Sequence, residues 1–310
     1  MNSSPVIYGF GSACVDYRIR IPDMGDGYTA KVLAQEVGEF GGGACANCLV
    51  QAARLGAECI YLGKLGDDPQ GKVIKSLLSS ENINIELIEN NEGALSPFNV
   101  AVYKGKDNER VGGYLLPNSL GSITCKEAEN LAGRMSSGSS VLVEIGEIPL
   151  ESVLAFSKAA LSKNVRIFID VDLDPIKQLK APLNLFEEIL SLADVIIPNY
   201  DSMKSIFPKA NHMHLAKAMS RQFNKTVIVT AGSGGVYFCE PEGITNHIAT
   251  DNIEIADAVG AGDSFHGAFI YAIGMGLELD PAVRFAMKCA QKTCMGFGAR
   301  TSMPYKKDIF

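Results

Sequence analysis

The chain has 310 residues, 47% hydrophobic and 20% charged, so it can bury a large core and is neither disordered nor fibrous. Its 28 Lys and Arg residues against 35 Asp and Glu residues give a net charge of −7 without a basic run, which argues against nucleic acid and anionic membrane as partners. Because we find neither a secretory leader nor an apolar stretch long enough to span a membrane, we expect a cytoplasmic protein.

Strand and helix patterns alternate along the chain without a shift in composition, so we expect one domain over residues 1–310. Apolar runs rich in β-formers predict buried strands over residues 6–9, 59–62, 141–144, 165–170, 195–198 and 226–230. Helical patterns cover residues 44–55, 71–80, 126–136, 150–162, 182–192, 214–223, 262–275 and 281–295. This order predicts a mostly parallel α/β sheet with helices on both faces.

Two stretches, at about residues 17–40 and 98–115, interrupt this alternation. Each contains short strand-like runs around a turn, which is typical of an antiparallel hairpin. Open α/β sheets bind ligands at the carboxyl ends of their parallel strands, so we expect the two excursions to form a lid over that edge.

The segment of residues 257–265, DAVGAGDSF, precedes a long apolar helix. Gly260, Ala261 and Gly262 are small enough to let backbone N–H groups converge at the helix N-terminus, where they and the helix dipole stabilise an anion. Asp263 follows in the first turn, close enough to take a proton from a hydroxyl that attacks phosphorus. Taken alone, this segment is equally consistent with a structural helix cap.

A second glycine-rich turn, EFGGGACAN at residues 39–47, offers a side-chain-free surface and Asn47 to polyol hydroxyls, and Asp16 adds a carboxylate. The Cys45 and Cys48 pair lacks the further ligands of a zinc site, so we expect free thiols on a helix face. The alternating carboxylates of residues 170–174, DVDLD, either bind a divalent metal or cap a loop.

The order of these motifs resembles the ribokinase or PfkB family of carbohydrate kinases. The matching elements are GGG-A-x-x-N, ARLG, GKLGDD, Asn199, TAGSGG and DAVGAGD, and they span nearly the whole chain. The resemblance implies a ribokinase-like three-layer α/β/α sandwich with a mostly parallel central sheet and a small β-lid. It also implies an ATP-dependent kinase that uses Mg²⁺ and phosphorylates a primary hydroxyl of a monosaccharide or sugar derivative, and a homodimer formed through the lid.

Residue roles follow from the same resemblance. Asp263 would be the catalytic base, with Gly260, Ala261 and Gly262 as the anion hole. The sugar-binding residues would be Asp16, Gly42, Gly43, Asn47 and Glu147. The nucleotide-binding residues would be Asn199, which faces the phosphates and metal, and Thr230, Gly232, Gly235 and Gly298. A monovalent cation, K⁺, would bind near Asp257 and Ser302.

Two positions depart from the family pattern. Ser202 stands where the family often has the Glu of N-x-x-E, and Asp174 stands where it often has the Arg of D-x-N-x-R. The first departure concerns the metal-facing position, and the second removes a cation near the expected site. They motivate one alternative, a catalytically weak regulator that binds sugar or nucleotide. A nucleoside or vitamin-alcohol kinase of the same fold is a second alternative, because the acceptor depends on the geometry of the lid side chains.

Overall fold

The structure is a computed structural model that describes residues 4–22, 31–105 and 109–309, except for the side chains of residues 109 and 110. In chain order, the strands of the described residues are β1 (Val6–Phe10), β2 (Cys14–Ile21), β3 (Glu36–Gly42), β4 (Glu58–Gly66), β5 (Ile88–Asn91), β6 (Phe98–Lys104), β7 (Glu109–Leu116), β8 (Ser140–Ile145), β9 (Arg166–Val171), β10 (Val195–Pro198), β11 (Thr226–Thr230), β12 (Val236–Cys239) and β13 (Thr245–Ile248). The α-helices are α1 (Ala44–Leu55), α2 (Pro69–Ser80), α3 (Cys125–Gly133), α4 (Leu150–Ser162), α5 (Leu183–Ser191), α6 (His212–Phe223), α7 (Ala261–Gly274) and α8 (Leu279–Cys294).

The main sheet has the strand order β13-β12-β11-β10-β9-β8-β1-β4-β5. The seven strands β11, β10, β9, β8, β1, β4 and β5 of this sheet run parallel to one another. The strand β12 pairs antiparallel with β11, and β13 pairs antiparallel with β12. All six residues of β8 are buried, as expected for a strand that is covered on both faces. The predicted mostly parallel α/β sheet is therefore confirmed.

Alternate residues of the central strand β1 pack into two separate hydrophobic clusters. Ile7 belongs to a cluster with side chains of α1, α7 and α8, whereas Tyr8 and Phe10 belong to one with α3, α4, α5 and α6. Because successive side chains of a strand point to opposite faces, the two clusters lie on opposite faces of the sheet. This arrangement is the predicted three-layer sandwich.

A second, four-stranded sheet in the order β3-β2-β6-β7 forms the lid. Its strands β2 and β3 pair antiparallel, as do β6 and β7, and β2 runs parallel to β6. The lid strand β2 begins at Cys14, earlier than predicted, and β3 begins only at Glu36. Residues 23–30 and 106–108 of the two expected excursions lie outside the described residues.

Helix boundaries follow the local chemistry at each end. The bounds of α1 and α4 are those predicted, whereas α2 and α8 begin two residues earlier than predicted. Their prolines, Pro69 and Pro281, lie in the first turn, where the missing N–H removes no intrahelical bond. Asp68 caps α2 by accepting a hydrogen bond from Gly71 N at 2.8 Å.

Within the described residues, no helix is long and apolar enough to cross a membrane.

Helices α1 and α7 pack with their backbones in contact. A Cβ on Gly267 would lie 2.1 Å from the carbonyl oxygen of Cys48, so only glycine allows this approach. The contact places the start of α1 beside the start of α7. These two helix starts carry both glycine-rich motifs of the sequence.

Candidate active site

The start of α7 is shaped by Gly260. This residue has a φ of 82°, in the left-handed region, and a Cβ on it would lie 2.6 Å from the carbonyl oxygen of Ala299. Its own carbonyl accepts from Ser264 N at 2.8 Å and so begins the helix. The amides of Gly262 and Asp263 lie in the first turn, where no intrahelical acceptor exists, and this end of the helix dipole favours an anion.

The Asp263 carboxylate lies at this helix start and accepts a hydrogen bond from Asn47 Nδ2 at 2.7 Å. Burial raises the pKa of Asp263 to about 7, against the opposing effects of the Asn47 hydrogen bond and of the charge on His266. A carboxylate with this pKa can accept a proton near neutral pH and release it again.

Four of the five predicted sugar-binding residues lie together and form a surface that we call the cradle: Asp16, Gly42, Gly43 and Asn47. A Cβ on Gly42 would lie 2.3 Å from the carboxylate of Asp16. Gly43 begins α1 with a φ of 91°, and a Cβ there would lie 2.6 Å from the carbonyl oxygen of Ser12. The backbone of Ser12 therefore excludes a Cβ at residue 43, and a Cβ at residue 42 would displace the Asp16 carboxylate.

Asn99 of the lid strand β6 extends the cradle, because its Nδ2 donates to Asp16 Oδ1 at 3.2 Å. Glu147 is half-buried, and its charge helps to raise the pKa of the Cys14 thiol, after the larger effect of burial. Burial also raises the pKa of Glu147 itself. The fifth predicted sugar-binding residue thus lies near the cradle, but no hydrogen bond joins it to the other four among the described residues.

Arg300 is a cradle contact that the sequence did not indicate. Its Nε donates to Asn47 Oδ1 at 2.6 Å and its Nη2 donates to the carbonyl oxygen of Gly42 at 2.8 Å. The residue lies in the loop of residues 296–302 after α8, 253 positions from Asn47. Only the folded chain brings the two together.

Two buried acidic groups lie beneath the cradle and Asp263. Glu144 accepts from Ser12 N and Ser12 Oγ, both at 2.7 Å, and from Cys45 N at 3.2 Å, and burial raises its pKa well above the usual range. Asp170 Oδ2 lies 3.2 Å from His266 Nδ1. Burial lowers the pKa of His266, but the charges of Asp170 and Asp263 more than offset this effect and raise it. His266 follows Asp263 by one helical turn, so the spacing of these two residues in the sequence could have indicated that His266 lies near Asp263.

The three carboxylates of residues 170–174 have separate roles. Asp170 contacts His266, and Asp172 Oδ1 accepts from Asn199 Nδ2 at 3.4 Å. Asp174 accepts from the backbone N–H groups of Ile176 and Lys177, both at 2.9 Å. Asp174 is therefore a loop cap, which agrees with the structural alternative for this residue.

A cleft of about 810 Å³ opens beside the start of α7. It is lined by Ala261 and Gly262 and by four of the predicted nucleotide-binding residues: Asn199, Thr230, Gly232 and Gly235. The turn after β11 lines the cleft and depends on Gly235. This residue has a φ of 86°, and a Cβ on it would lie 2.1 Å from the carbonyl oxygen of Ile248, so glycine is required there. Gly298 does not line the cleft, and its N–H donates to Asp257 Oδ2 at 3.0 Å.

The two predicted cation-binding residues are connected with the loop of residues 296–302. The Asp257 carboxylate accepts from the amides of Val259 and Gly298, both at 3.0 Å, and so ties the start of α7 to the 296–302 loop. Ser302 lies in the same loop, where a Cβ on Gly296 would be 2.1 Å from its Oγ. Among the residues described, no group of three or more His, Cys, Asp or Glu side chains could hold a metal ion.

The hydroxyl of Ser202, at the first departure from the family pattern, is hydrogen-bonded to the backbone. Its buried Oγ lies 2.8 Å from the carbonyl oxygen of Val171 and 2.7 Å from that of Asn199. A smaller cavity of about 240 Å³ lies beside it, lined by Asp172, Asn199 and Asp201 among others. Asn199 and Asp201 also line the large cleft, so the two cavities adjoin.

Known proteins show the same sequence pattern and fold. Residues 7–306 match the family described as pfkB family carbohydrate kinase. The chain is 28% identical to the ribokinase of Bacillus subtilis over 269 residues, which is 86% of each chain, and 25% identical to a 5-dehydro-2-deoxygluconokinase of Bacillus anthracis over 283 residues, which is 87% of this chain and 85% of that one.

Solved structures agree on the fold. The ribokinase of Thermotoga maritima superimposes with a TM-score of 0.84 at 21% identity, covering 98% of each chain. The Arabidopsis thaliana ribokinase, solved with ribose and ATP, gives a TM-score of 0.83 at 20% identity, covering 99% of this chain and 98% of that one. The fold is therefore ribokinase-like, and the match over residues 7–306 shows that this chain belongs to the pfkB family of carbohydrate kinases, phosphotransferases with an alcohol group as acceptor.

Proposed function

We propose that this chain transfers the γ-phosphoryl group of ATP to a primary hydroxyl of a monosaccharide, with Asp263 as the base. The observation that carries the proposal is the Asn47 to Asp263 hydrogen bond of 2.7 Å, because it joins the cradle to the helix start that lines the cleft. Sugar in the cradle and nucleotide in the cleft would then meet at Asp263. The relatives named ribokinase make ribose the first acceptor to test.

The proposed transfer uses groups of this chain in three roles. Asp16 and Asn47 bind and orient the sugar hydroxyls, and Asp263 accepts the proton of the attacking hydroxyl as its oxygen forms the bond to phosphorus. The bond between the γ-phosphorus and its bridging oxygen breaks, and ADP leaves. Backbone N–H groups at Gly260 and Gly262 stabilise the charge of the phosphoryl group in transfer, whereas the N–H of Ala261, also predicted for the anion hole, donates to the carbonyl oxygen of Ala258 at 3.2 Å. We expect the lid strands, which carry Asp16 and Gly42, to exclude water from the cradle.

The oxygen donors beside the cleft fit Mg²⁺, which prefers carboxylate and amide oxygens, phosphates and water. Asp172, Asn199 and Asp201 would hold it together with the nucleotide. When bound, the ion would supply charge neutralisation on the phosphate oxygens. With Ser202 turned to backbone carbonyls, we expect a site in which phosphates and water provide most of the ligands.

We further propose that K⁺ binds near Asp257 and Ser302 and orders the 296–302 loop. The hydrogen bond between Asp257 and Gly298 N supports this, since it joins that loop to the anion-binding helix start. We expect turnover in KCl to exceed turnover in tetramethylammonium chloride at equal ionic strength. Equal rates in the two salts would contradict a monovalent-cation site.

Two wider features of the proposal concern the whole protein. We propose a homodimer formed through the lid, supported by exposed apolar side chains on its outer strands, such as Val37 and Tyr114. We also propose a cytoplasmic location, supported by eight cysteines that are free thiols, as a reducing compartment keeps them.

The deciding experiment measures ADP release from ATP and Mg²⁺ across ribose, other aldoses, ketoses, sugar acids, nucleosides and vitamin alcohols. We expect strong turnover with one sugar, and Asp263→Asn should lower that turnover about 10²-fold to 10⁴-fold while sugar binding is kept. Asp280→Asn, a half-buried carboxylate at the start of α8, is the matched control and should keep full turnover. Turnover only with a nucleoside or vitamin alcohol, or none with any acceptor, would contradict the sugar kinase.

A further inference from the structure

The guanidinium of Arg300 contacts two separate parts of the molecule, helix α1 and lid strand β3. It donates from Nε to Asn47 Oδ1 on α1 and from Nη2 to the carbonyl oxygen of Gly42 on lid strand β3. A Cβ on Gly41 would lie 2.2 Å from Nη1, so the guanidinium lies directly against that strand. Arg300 therefore connects the 296–302 loop, the lid and the helix that carries Asn47.

The backbone that presents this guanidinium is itself anchored. Arg54 Nη1 donates to the carbonyl oxygens of Arg300 at 2.6 Å and Met303 at 2.9 Å. The other side of the Arg54 guanidinium binds both carboxylate oxygens of Glu81. This second arginine holds the loop in place, and no hydrogen bond joins it to Asn47 among the described residues, so the two arginines can be distinguished by substitution.

The contact with Arg300 decides which way the Asn47 amide faces. An Asn side chain has one acceptor oxygen and one donor nitrogen at its tip, whereas Arg has only donors. Because Oδ1 of Asn47 faces the Nε of Arg300, Nδ2 must face Asp263, and it donates to Asp263 Oδ2 at 2.7 Å. With the amide reversed, a carbonyl oxygen would face the carboxylate and the hydrogen bond would be lost.

We propose that Arg300 is a positioning residue for phosphoryl transfer: it fixes the Asn47 amide so that this amide holds the Asp263 carboxylate ionised and aimed at the acceptor hydroxyl. The inference rests on the proposed function of Asp263 as the base. It adds a residue outside the family motifs in the sequence, and it makes the 296–302 loop and the lid strand β3 part of the machinery that orients the base.

The hydrogen bond from Asn47 has a measurable effect on Asp263. Burial raises the pKa of Asp263 to about 7, and the Asn47 hydrogen bond counteracts that rise. Without the bond, the pKa should move further up. The other titratable groups that act on or respond to the charge of Asp263 are Asp170, Asp172, His266, Cys45, Cys48 and Arg300 itself.

The test compares Arg300→Met in the wild-type chain and in an Asn47→Ala background, with Arg54→Met and Arg284→Met as matched controls. Arg284 is exposed on α8 and pairs with Asp280. The readouts are kcat, the KM values of acceptor and ATP, and the pKa of Asp263 from ¹³C NMR of aspartate-labelled protein, with the signal assigned by its loss in Asp263→Asn. Should Arg300→Met fail to fold, Arg300→Gln takes its place.

We expect Arg300→Met to lower kcat about tenfold to a hundredfold, to raise the pKa of Asp263, and to leave the KM of ATP within about twofold. In the Asn47→Ala background, both effects should fall below about twofold, because the group that Arg300 acts through is gone. We expect Arg54→Met to lower thermal stability without moving the pKa of Asp263, and Arg284→Met to change neither.

Three results would overturn the proposal. The first is an unchanged kcat and an unchanged pKa of Asp263 in Arg300→Met. The second is an equal effect of Arg300→Met with and without Asn47, which would mean that the charge of Arg300 acts directly on Asp263. The third is an equally large effect of Arg54→Met, which would mean that only the docking of the 296–302 loop matters. If the wild-type chain phosphorylates no acceptor, the proposed function fails instead, and the NMR titration still decides whether Arg300 holds the amide.

Discussion

The burial that makes Asp263 a suitable base also costs stability. Its pKa of about 7 in the folded chain lies above the ordinary value of 3.8, so the folded state holds a proton that the unfolded chain releases. Between these two values the folded state binds more protons, and the free energy of unfolding falls as pH rises. Above about pH 7, the full loss of unfolding free energy caused by the buried, ionised Asp263 is present.

Asp263→Asn should therefore stabilise the protein while removing its activity. We expect a higher unfolding temperature than that of the wild-type chain at about pH 8, and a difference that shrinks towards zero below about pH 4. Thermal denaturation at the two pH values measures this. A constant difference at both pH values would show that the pKa of Asp263 is not raised.

The same carboxylate should set the acidic limb of the pH profile. As pH rises through about 7, Asp263 loses its proton and kcat/KM should increase. His266 lowers the pKa of Asp263 through its charge, so His266→Asn should move this limb to higher pH, with His214→Asn on the exposed face of α6 as the control. A limb that stays in place would assign His266 and Asp170 a packing role only.

The sequence predicts those site residues whose neighbours along the chain complete a pattern. Asp263 and Asn47 each follow a glycine-rich turn, and the turn and the functional side chain lie within a few positions of each other in the sequence. Arg300 has no such local pattern, since its partner Asn47 is 253 positions away. The contact between His266 and Asp170 likewise depends on how α7 packs on the sheet, which no spacing in the sequence encodes.

Among the elements, long amphipathic helices were predictable and short edge strands were not. The helices α1 and α4 have enough turns for their apolar period to stand out. The strands β5 and β13, at the two edges of the main sheet, have four residues each, and β5 reads IENN. At the edge of a sheet a strand needs few apolar residues, so its only support is the pairing with its neighbour.

The start of α7 offers a matched pair of substitutions. Gly260→Ala should lower the free energy of unfolding by about 1 to 3 kcal/mol or more, because a positive φ and the carbonyl of Ala299 both oppose a Cβ. Gly262→Ala meets nothing within 4 Å and should be neutral or slightly stabilising. Urea denaturation compares the two, and equal losses would mean that the left-handed turn is not required.

At the scale of the whole molecule, the lid presents more apolar surface than a covered sheet would. Val37, Phe40, Tyr114 and Leu115 are between 45% and 64% exposed on its two outer strands β3 and β7. Such a surface is typical of an interface between subunits. The alternation of the sequence in this region predicted strands but could not show which side chains the main sheet would leave uncovered.

A charged lid should prevent association. We expect the wild-type chain to be a dimer by light scattering coupled to size exclusion, and the double variant Tyr114→Arg, Leu115→Arg to be a monomer with an unchanged far-ultraviolet spectrum. Leu161→Arg, which is 52% exposed near the end of α4, is the control and should stay dimeric. A monomeric wild-type chain, or a dimer that survives both lid changes, would exclude the lid as the interface.

The close contact between α1 and α7 also bears on how activity is acquired during folding. It joins Asn47 to Asp263 across 216 positions, and the central strand β1 pairs Ile7 with Ser140 of β8. Contacts between such distant segments form late, because the intervening chain must be ordered first. The recovery of turnover during refolding should therefore follow the slowest refolding phase, and a partly folded chain should be unable to consume ATP.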